Sequence, residues 1–258
     1  MRDIQYPGRS VVMATDAMVA TSQPMATAAA LQILRRGGNA MDAAVAASAV
    51  LCVTEPLATG IGGDCFLLYH EAATGKLHAL NGSGRAPGRA TPDAFRGQDM
   101  SSIPGRGILP VTVPGAVDAW QTALGRFGTL DLGALLEPAI DYAEAGFAVS
   151  PVVAVDWQRQ AGLFRQSVDS ARCFLVDGGA PVAGSRHRFP DLARSLKLIA
   201  AQGRDALYTG PLAEEIVRFS HAHNGLLEMD DFAGHCSEWV EPVACDYRGL
   251  RIFEVPPN

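Results

Sequence analysis

The chain has 258 residues, of which 48% are hydrophobic and 19% are charged, and its formal net charge is −6. This composition is that of a globular protein that can bury a core, and the length allows one large domain or two small ones. The negative charge argues against a nucleic-acid-binding protein, which needs a basic patch. An anionic substrate is not excluded, because a single arginine in a pocket can hold a carboxylate.

The sequence predicts neither a targeting signal nor a disulfide framework. The first ten residues, Met1 to Ser10, contain no apolar core, which predicts that no signal peptide is present. Nowhere is an apolar run long enough to span a membrane, so the cytoplasm is the expected compartment. The five cysteines are an odd number without paired spacing, so no disulfide framework is predicted. Cys52 and Cys65 lie in apolar runs and are expected to be small buried residues.

The N-terminal part of the chain predicts one strand and two helices. Val11–Thr15 is a short β-strand candidate. A helix is predicted over Met25–Arg36, because Pro24 suits its first turn and two glycines follow its basic end. Asn39 is expected to cap an alanine-rich second helix, which should bury most of its surface and stop before Pro56.

A β-hairpin is predicted next, from residues 64–70 and 76–81 around a turn at 73–76. Phe66 and Leu68 should face one side of the hairpin and Leu67 and Tyr69 the other, and four consecutive apolar residues indicate that both faces are covered. Residues 82–110 are expected to form an ordered loop. Later patterns predict helices at 115–126, 131–145, 151–164, 190–202 and 211–222, and strands at 240–247 and 251–255. No linker is evident, so residues 1–258 are interpreted as a single domain.

Several short motifs stand in the order found in one enzyme family. The chain reads Gly-Gly-Asn-Ala-Met-Asp-Ala-Ala-Val-Ala at 37–46, Thr-Glu-Pro at 54–56, Gly-Ile-Gly-Gly at 60–63 and Ala-Pro at 86–87. Further matches stand at 113–116, 127–130, 137–140, 146–150, 208–211, 225–227 and 246–249. In these motifs the chain resembles the gamma-glutamyltranspeptidases and their acylase relatives over nearly its whole length.

The resemblance implies an α/β fold of the N-terminal-nucleophile hydrolase type, with a layered αββα core and a helical region. Members of the family are precursors that cleave themselves, and the new N-terminal threonine of the small subunit is the nucleophile. The chain then corresponds to an incomplete large subunit, whose partner is a small subunit from the same precursor and whose nucleophile is expected beyond Asn258. Residues 1–258 alone should therefore be inactive, and no cofactor or metal is implied.

The predicted substrate loop departs from the family pattern, Asp-Gly-Arg-Glu-x-Ala-Pro, whose arginine grips the α-carboxylate of a gamma-glutamyl group. With the Ala-Pro as anchor, Ser83 stands at the arginine position and Gly84 at the acidic one. Residues 83 and 85 point to the same side of an extended backbone, so Arg85 can reach the same pocket. Substrate binding is predicted for Arg85, Ser83 and Asn81. A structural ion pair is the alternative for Arg85, and Arg89 is the alternative carboxylate ligand.

Three functions stay open at this point. The changed loop favours an amidohydrolase that cleaves an amide of a small acidic substrate, of the oxamate or acyl side-chain type. The second is true gamma-glutamyl transfer or glutathione hydrolysis, and the third is a non-catalytic binding or scaffolding fragment. The glycines at 60, 62 and 63 are interpreted as a tight turn, because they precede a strand and so fail the dinucleotide pattern.

Two polar clusters near the C-terminus are also interpreted. His221 and His223 are two residues apart in a predicted helix and do not share a face, so a metal site with His235 and Cys236 is disfavoured. The Asp230–Asp231 pair is predicted to cap a helix.

Overall fold

The computed structural model describes residues 11–97 and 100–258. The N-terminal decapeptide, on which the prediction about a signal peptide rests, lies outside the described residues, as do positions 98 and 99 of the predicted loop. Within the described ranges, no helix combines the length and the apolar character that a membrane span requires.

The described residues form a mixed helix-and-sheet structure. The helices are α1 (Pro24–Arg35), α2 (Ala40–Thr54), α3 (Pro92–Arg96), α4 (Ala116–Phe127), α5 (Leu132–Ala145), α6 (Pro151–Phe164), α7 (Val168–Phe174), α8 (Pro190–Gln202), α9 (Asp205–Tyr208), α10 (Pro211–Ala222) and α11 (Met229–Ala233). The strands are β1 (Cys65–Glu71), β2 (Lys76–Gly82), β3 (Phe147–Ala148), β4 (Arg186–His187), β5 (Glu238–Val240), β6 (Val243–Tyr247) and β7 (Leu250–Glu254). The five later helices predicted from the sequence are confirmed to within one residue at each end.

Helix α2 lies at the centre of the core. Eleven of its 15 residues are buried, and α1 and α5 both pack against it, because alanine side chains allow close approach. The predicted cap is confirmed: Asn39 Oδ1 accepts hydrogen bonds from the backbone N–H of Met41 at 2.9 Å and of Asp42 at 3.1 Å. Asp42 Oδ2 in turn accepts from the Asn39 N–H at 2.8 Å, which completes a capping box.

The predicted hairpin is confirmed as an antiparallel pair, with Cys65 opposite Gly82 and Glu71 opposite Lys76. Strand β5 adds to the other edge of β2, so the sheet order is β1-β2-β5. The expectation that both faces are covered is wrong for the described residues, since Phe66 is 47% and Leu68 40% exposed. Helix α4 packs on the hairpin, and the side chains of Leu67 and Tyr69 are half-buried while those of Phe66 and Leu68 are not.

Three other predictions need correction. Val11–Thr15 forms no strand, because none of the segments that the structure describes pairs with it. The strand predicted at 240–247 is two strands, since β5 ends at Val240 and pairs with β2, whereas β6 starts after Pro242 and pairs with β7. The Asp230–Asp231 pair lies inside the first turn of α11, whose N-cap is Glu228. Only Asp231 takes part in capping, since its Oδ2 accepts a hydrogen bond from the Glu228 N–H at 2.8 Å.

Candidate substrate-binding site

The predicted substrate loop, residues 83–87, follows β2 directly and lies beside the turn that enters β1. Asp64, at the end of that turn, accepts a hydrogen bond from the Gly84 N–H at 2.8 Å. The preceding carbonyl, that of Gly63, accepts from the N–H groups of Gly115 and Ala116, each at 2.9 Å. The predicted tight turn is present, with the Gly63 N–H bonded to the Gly60 carbonyl at 3.0 Å. Three segments distant in sequence therefore meet at one end of the hairpin.

Gly84 must be glycine for this backbone path. A Cβ atom placed on it would lie 1.6 Å from the carbonyl oxygen of Val113, a distance at which no side chain fits. The family pattern has an acidic residue at this position. The glycine that stands here instead is the residue that the path of the loop past Val113 requires. The loop of this chain cannot carry that carboxylate without moving its backbone.

Arg85 is held by one hydrogen bond at its backbone and one at its side chain. Its carbonyl accepts a hydrogen bond from the Val113 N–H at 3.0 Å. Its Nη2 donates to Oε1 of Glu238, the first residue of β5. The ion-pair alternative is therefore present, but only one nitrogen of the guanidinium takes part. Nε and Nη1 have no protein partner in the part of the chain that the structure describes.

Ser83 and Asn81 have local partners. Asn81 Oδ1 accepts a hydrogen bond from the Ser83 N–H at 2.9 Å, so this side chain shapes the loop. Ser83 Oγ accepts from the side-chain amide of Asn258 at 2.6 Å. The alternative arginine, Arg89, is paired with Glu228 at 2.6 Å, beside the start of α11. The structure thus gives the two arginines separate carboxylate partners.

A buried charged cluster that the sequence did not predict anchors the segment that leads into β5. Asp118 on α4 is 3% exposed, and its Oδ1 accepts from Arg204 Nε at 2.5 Å. Its Oδ2 accepts from the Ser237 N–H at 2.6 Å. Arg204 also donates from Nη2 to the His235 carbonyl at 2.9 Å and stacks on the Tyr208 ring at 4.6 Å. The residues just before Glu238 are therefore held from both sides.

The His235 ring lies in this cluster, stacked on Tyr208 with 5.3 Å between ring centroids. Burial lowers the pKa of His235, and the nearby Arg204 and Arg85 lower it further while Asp118 and Asp64 oppose them. Neither ring nitrogen has a hydrogen-bond partner within residues 11–97 and 100–258. No group of three or more potential metal ligands occurs among the described residues, and His221 instead pairs with Glu228 at 3.2 Å.

The five cysteines are all free. Burial raises the pKa of Cys52 to about 12 and that of Cys65 to about 11. Cys52 is buried as expected, whereas Cys65 is only half-buried, because it opens strand β1 at the edge of the core.

The chain belongs to the gamma-glutamyltranspeptidase family, whose model matches residues 26–258. The Glutathione hydrolase-like YwrD proenzyme of Bacillus subtilis (strain 168) is 43% identical over 248 residues, which are 96% of this chain and 47% of that protein. The Oxamate amidohydrolase proenzyme of Klebsiella pneumoniae is 34% identical over 253 residues, which are 95% of this chain and 47% of that protein. The chain thus spans about half the length of the curated relatives it matches.

The fold is also similar to that of solved members of the family. The crystal structure of cephalosporin acylase from Bacillus halodurans matches with a TM-score of 0.88 and 39% identity, over 98% of this chain and 49% of that one. The predicted family and the predicted mixed fold of N-terminal-nucleophile hydrolases are therefore confirmed. The family comprises hydrolases and transferases.

Proposed function

We propose that this chain is the large subunit of an amidohydrolase that cleaves an amide bond of a small acidic substrate. The nucleophile would be the N-terminal threonine of a small subunit cut from the same precursor. Two features of the relatives support this proposal: they are named as proenzymes, and the chain spans about half their length. One of them is named for the amide of a small dicarboxylic acid, oxamate.

The observation that carries the substrate class is the open edge of Arg85. Its guanidinium lies at the end of the central strand β2, and two of its nitrogens have no protein partner among the described residues. A guanidinium binds a carboxylate through two parallel hydrogen bonds, from Nη2 together with either Nε or Nη1. Nη2 of Arg85 has a second N–H besides the one that it donates to Glu238, so one such edge can take a substrate carboxylate. We therefore assign Arg85 to the substrate carboxylate, with the Ser83 hydroxyl and the Asn81 amide nitrogen as neighbouring polar groups.

The residues of this chain would bind and orient the substrate, while the bond-making group comes from the small subunit. In this class of enzyme the threonine hydroxyl adds to the amide carbonyl, and its own α-amine takes the proton. The amine part of the substrate leaves, and water then hydrolyses the ester that remains. A carboxylate held at Arg85 fixes the distance between the charged end of the substrate and the reacting carbonyl.

The test is Arg85→Ala in the complete protein, assayed with an amide that carries a carboxylate and with a neutral amide that has the same leaving group. A charge-assisted hydrogen bond contributes about 1.5–3 kcal/mol, so kcat/KM for the anionic amide should fall about 10- to 100-fold. Arg85→Lys should recover only part of this, because an ammonium cannot form the planar pair. Arg159→Ala is the matched control, since Arg159 is an exposed arginine paired to Asp156 on α6. Unchanged kinetics in Arg85→Ala would transfer the role to Arg89.

True gamma-glutamyl transfer is the second candidate function, because one relative is named as a glutathione hydrolase-like protein. If Ser83 stands at the arginine position of the family pattern, Ser83→Arg should raise activity on a gamma-glutamyl amide relative to wild type. A wild-type protein that already prefers the gamma-glutamyl amide would favour this second function over the first. Absence of any amidase activity in the complete, self-cleaved protein would favour a binding or scaffolding role.

A further inference from the structure

We infer that Glu238 is a positioning residue for substrate binding: its carboxylate orients the Arg85 guanidinium so that the N–H groups that Glu238 does not use face the substrate. The inference rests on the proposed role of Arg85 in holding a substrate carboxylate. Glu238 lies 153 positions from Arg85 in the sequence. If it orients Arg85, Glu238→Ala should raise KM for an anionic substrate, which the role of Arg85 alone does not predict.

Glu238 is held in place by its neighbours on both sides in the sequence. The preceding residue, Ser237, donates its N–H to the buried Asp118 at 2.6 Å. The following residue, Trp239, packs edge-on against Phe127 at 5.5 Å between ring centroids. Glu238 itself pairs in register with Asn81, four residues before Arg85. The strand therefore presents the Glu238 carboxylate from a fixed backbone position.

Arg85 needs such a partner because its side chain has little else to hold it. It is 67% exposed, and its one side-chain hydrogen bond among the described residues is from Nη2 to Glu238 Oε1. A free arginine side chain samples many rotamers, and restricting it when a ligand binds costs affinity. An arginine already held through one N–H loses less entropy when its remaining N–H groups bind a carboxylate.

The Glu238 carboxylate beside the arginine also repels an anionic substrate. Whether Glu238→Ala weakens or strengthens binding of the anionic amide therefore decides the inference. Glu238→Gln removes the charge but keeps an oxygen that can accept the Arg85 hydrogen bond. Glu238→Ala removes both. If orientation dominates, the Ala variant should bind the anionic amide more weakly while the Gln variant binds it as well as wild type or better. If competition dominates, both variants should bind it more tightly.

We expect Glu238→Ala to raise KM for the anionic amide about two- to fivefold, the range that corresponds to an exposed ion pair. The value of kcat should stay within about twofold, since binding and not the reacting bond is affected. The neutral amide should show no change in KM. Glu215→Ala is the matched control, because Glu215 is an exposed glutamate in an ion pair with Arg218 on α10, away from the loop.

The experiment is a double-mutant cycle in the complete, self-cleaved protein, with wild type, Arg85→Ala, Glu238→Ala and both together, and Glu238→Gln alongside. If Glu238 acts through Arg85, adding Glu238→Ala to Arg85→Ala should not change the ratio of kcat/KM for anionic and neutral amides. A further fall of that ratio in the double variant would overturn the inference, as would a KM for the anionic amide in Glu238→Ala that is lower than or equal to that of wild type. If Arg85→Ala alone has no effect, the proposed role of Arg85 fails and this inference fails with it; if only Glu238→Ala has none, this inference fails and the proposed role of Arg85 stands.

Discussion

Asp42 and Thr129 are 87 residues apart in the sequence, yet Thr129 donates two hydrogen bonds to the Asp42 carboxylate, from Oγ1 at 2.5 Å and from its backbone N–H at 2.9 Å. The Leu130 N–H donates a third at 3.2 Å. The carboxylate that caps α2 therefore also fixes the connection between α4 and α5. Burial by itself raises the pKa of Asp42, but these bonds and the one from Asn39 outweigh it and hold the pKa below its ordinary value of 3.8.

The first prediction concerns Asp42→Asn. An amide offers an N–H₂ group where Thr129 and Asn39 both need an acceptor, so the free energy of unfolding at pH 7 should fall by about 2–3 kcal/mol. Because the folded-state pKa is lowered, the contribution of the charged form is present above pH 3.8 and is lost as the pH falls further. The gap between wild type and variant in urea unfolding should therefore narrow below that pH. Asp156→Asn, on the exposed face of α6, is the control, and a gap that widens in acid would contradict the account.

The second prediction concerns Asp118→Ala. The substitution leaves the Arg204 guanidinium and the Ser237 N–H without their buried acceptor. Breaking one side of a buried ion pair costs about 3–5 kcal/mol, which should appear as a large fall in the urea midpoint. The exposed Asp93, paired to Arg96 three residues along α3, should tolerate alanine with a change of about 0.5 kcal/mol or less. Equal effects at the two positions would refute a special role for the Asp118 cluster.

The third prediction concerns Gly84→Ala. The added Cβ would meet the Val113 carbonyl, so the loop has to move and the bond from Gly84 to Asp64 is lost. We expect kcat/KM to fall at least about tenfold, in line with the sensitivity of binding groups to small displacements. Gly125→Ala is the control, since nothing lies within 4 Å of its added Cβ and alanine favours a helix by up to about 1 kcal/mol. Full activity in Gly84→Ala would show that the loop position does not matter for turnover.

The fourth prediction concerns thiol reactivity. Since the thiolate is the reactive form, a pKa of about 12 leaves Cys52 almost wholly protonated at pH 8. Iodoacetamide should not modify Cys52 in the native protein within the time that it modifies all five cysteines in urea. Peptide mass spectrometry after each treatment measures this. Rapid native alkylation of Cys52 would mean that α2 opens far more often than its packing indicates.

The sequence predicted local structure well where periodicity and end signals agree. Helix α2 carries Asn39 at its start and Pro56 after its end, and both boundaries were found. The short helices α3, α7 and α9, of four to seven residues, were not predicted, because they are too short to show a period. The two-residue strands β3 and β4 were not predicted for the same reason. The Val11–Thr15 prediction failed for a related reason: a β-type run forms a strand only where a partner pairs with it.

Only the part of the candidate site that is contiguous in the sequence was predicted. The motif around Ser83 and Arg85 is contiguous, so its departure from the family pattern could be read directly. Glu238 lies far away along the chain and meets Arg85 only through the register of β5 on β2, which no local pattern encodes. The same holds for Asp118 and Arg204, whose pairing depends on how α4 packs against a distant loop.

The pairing of β2 with β5 also fixes the order in which the molecule can form during synthesis. Residues 79–81 leave the ribosome about 160 residues before their partners at 238–240. At about 5–20 residues per second this delay is roughly 8–30 s. Through that interval one edge of β2 has no neighbour, and the guanidinium of Arg85 has no carboxylate beside it. The loop can therefore acquire its arrangement only after residues 238–240 have been made, which is later than the synthesis of the helices around α2.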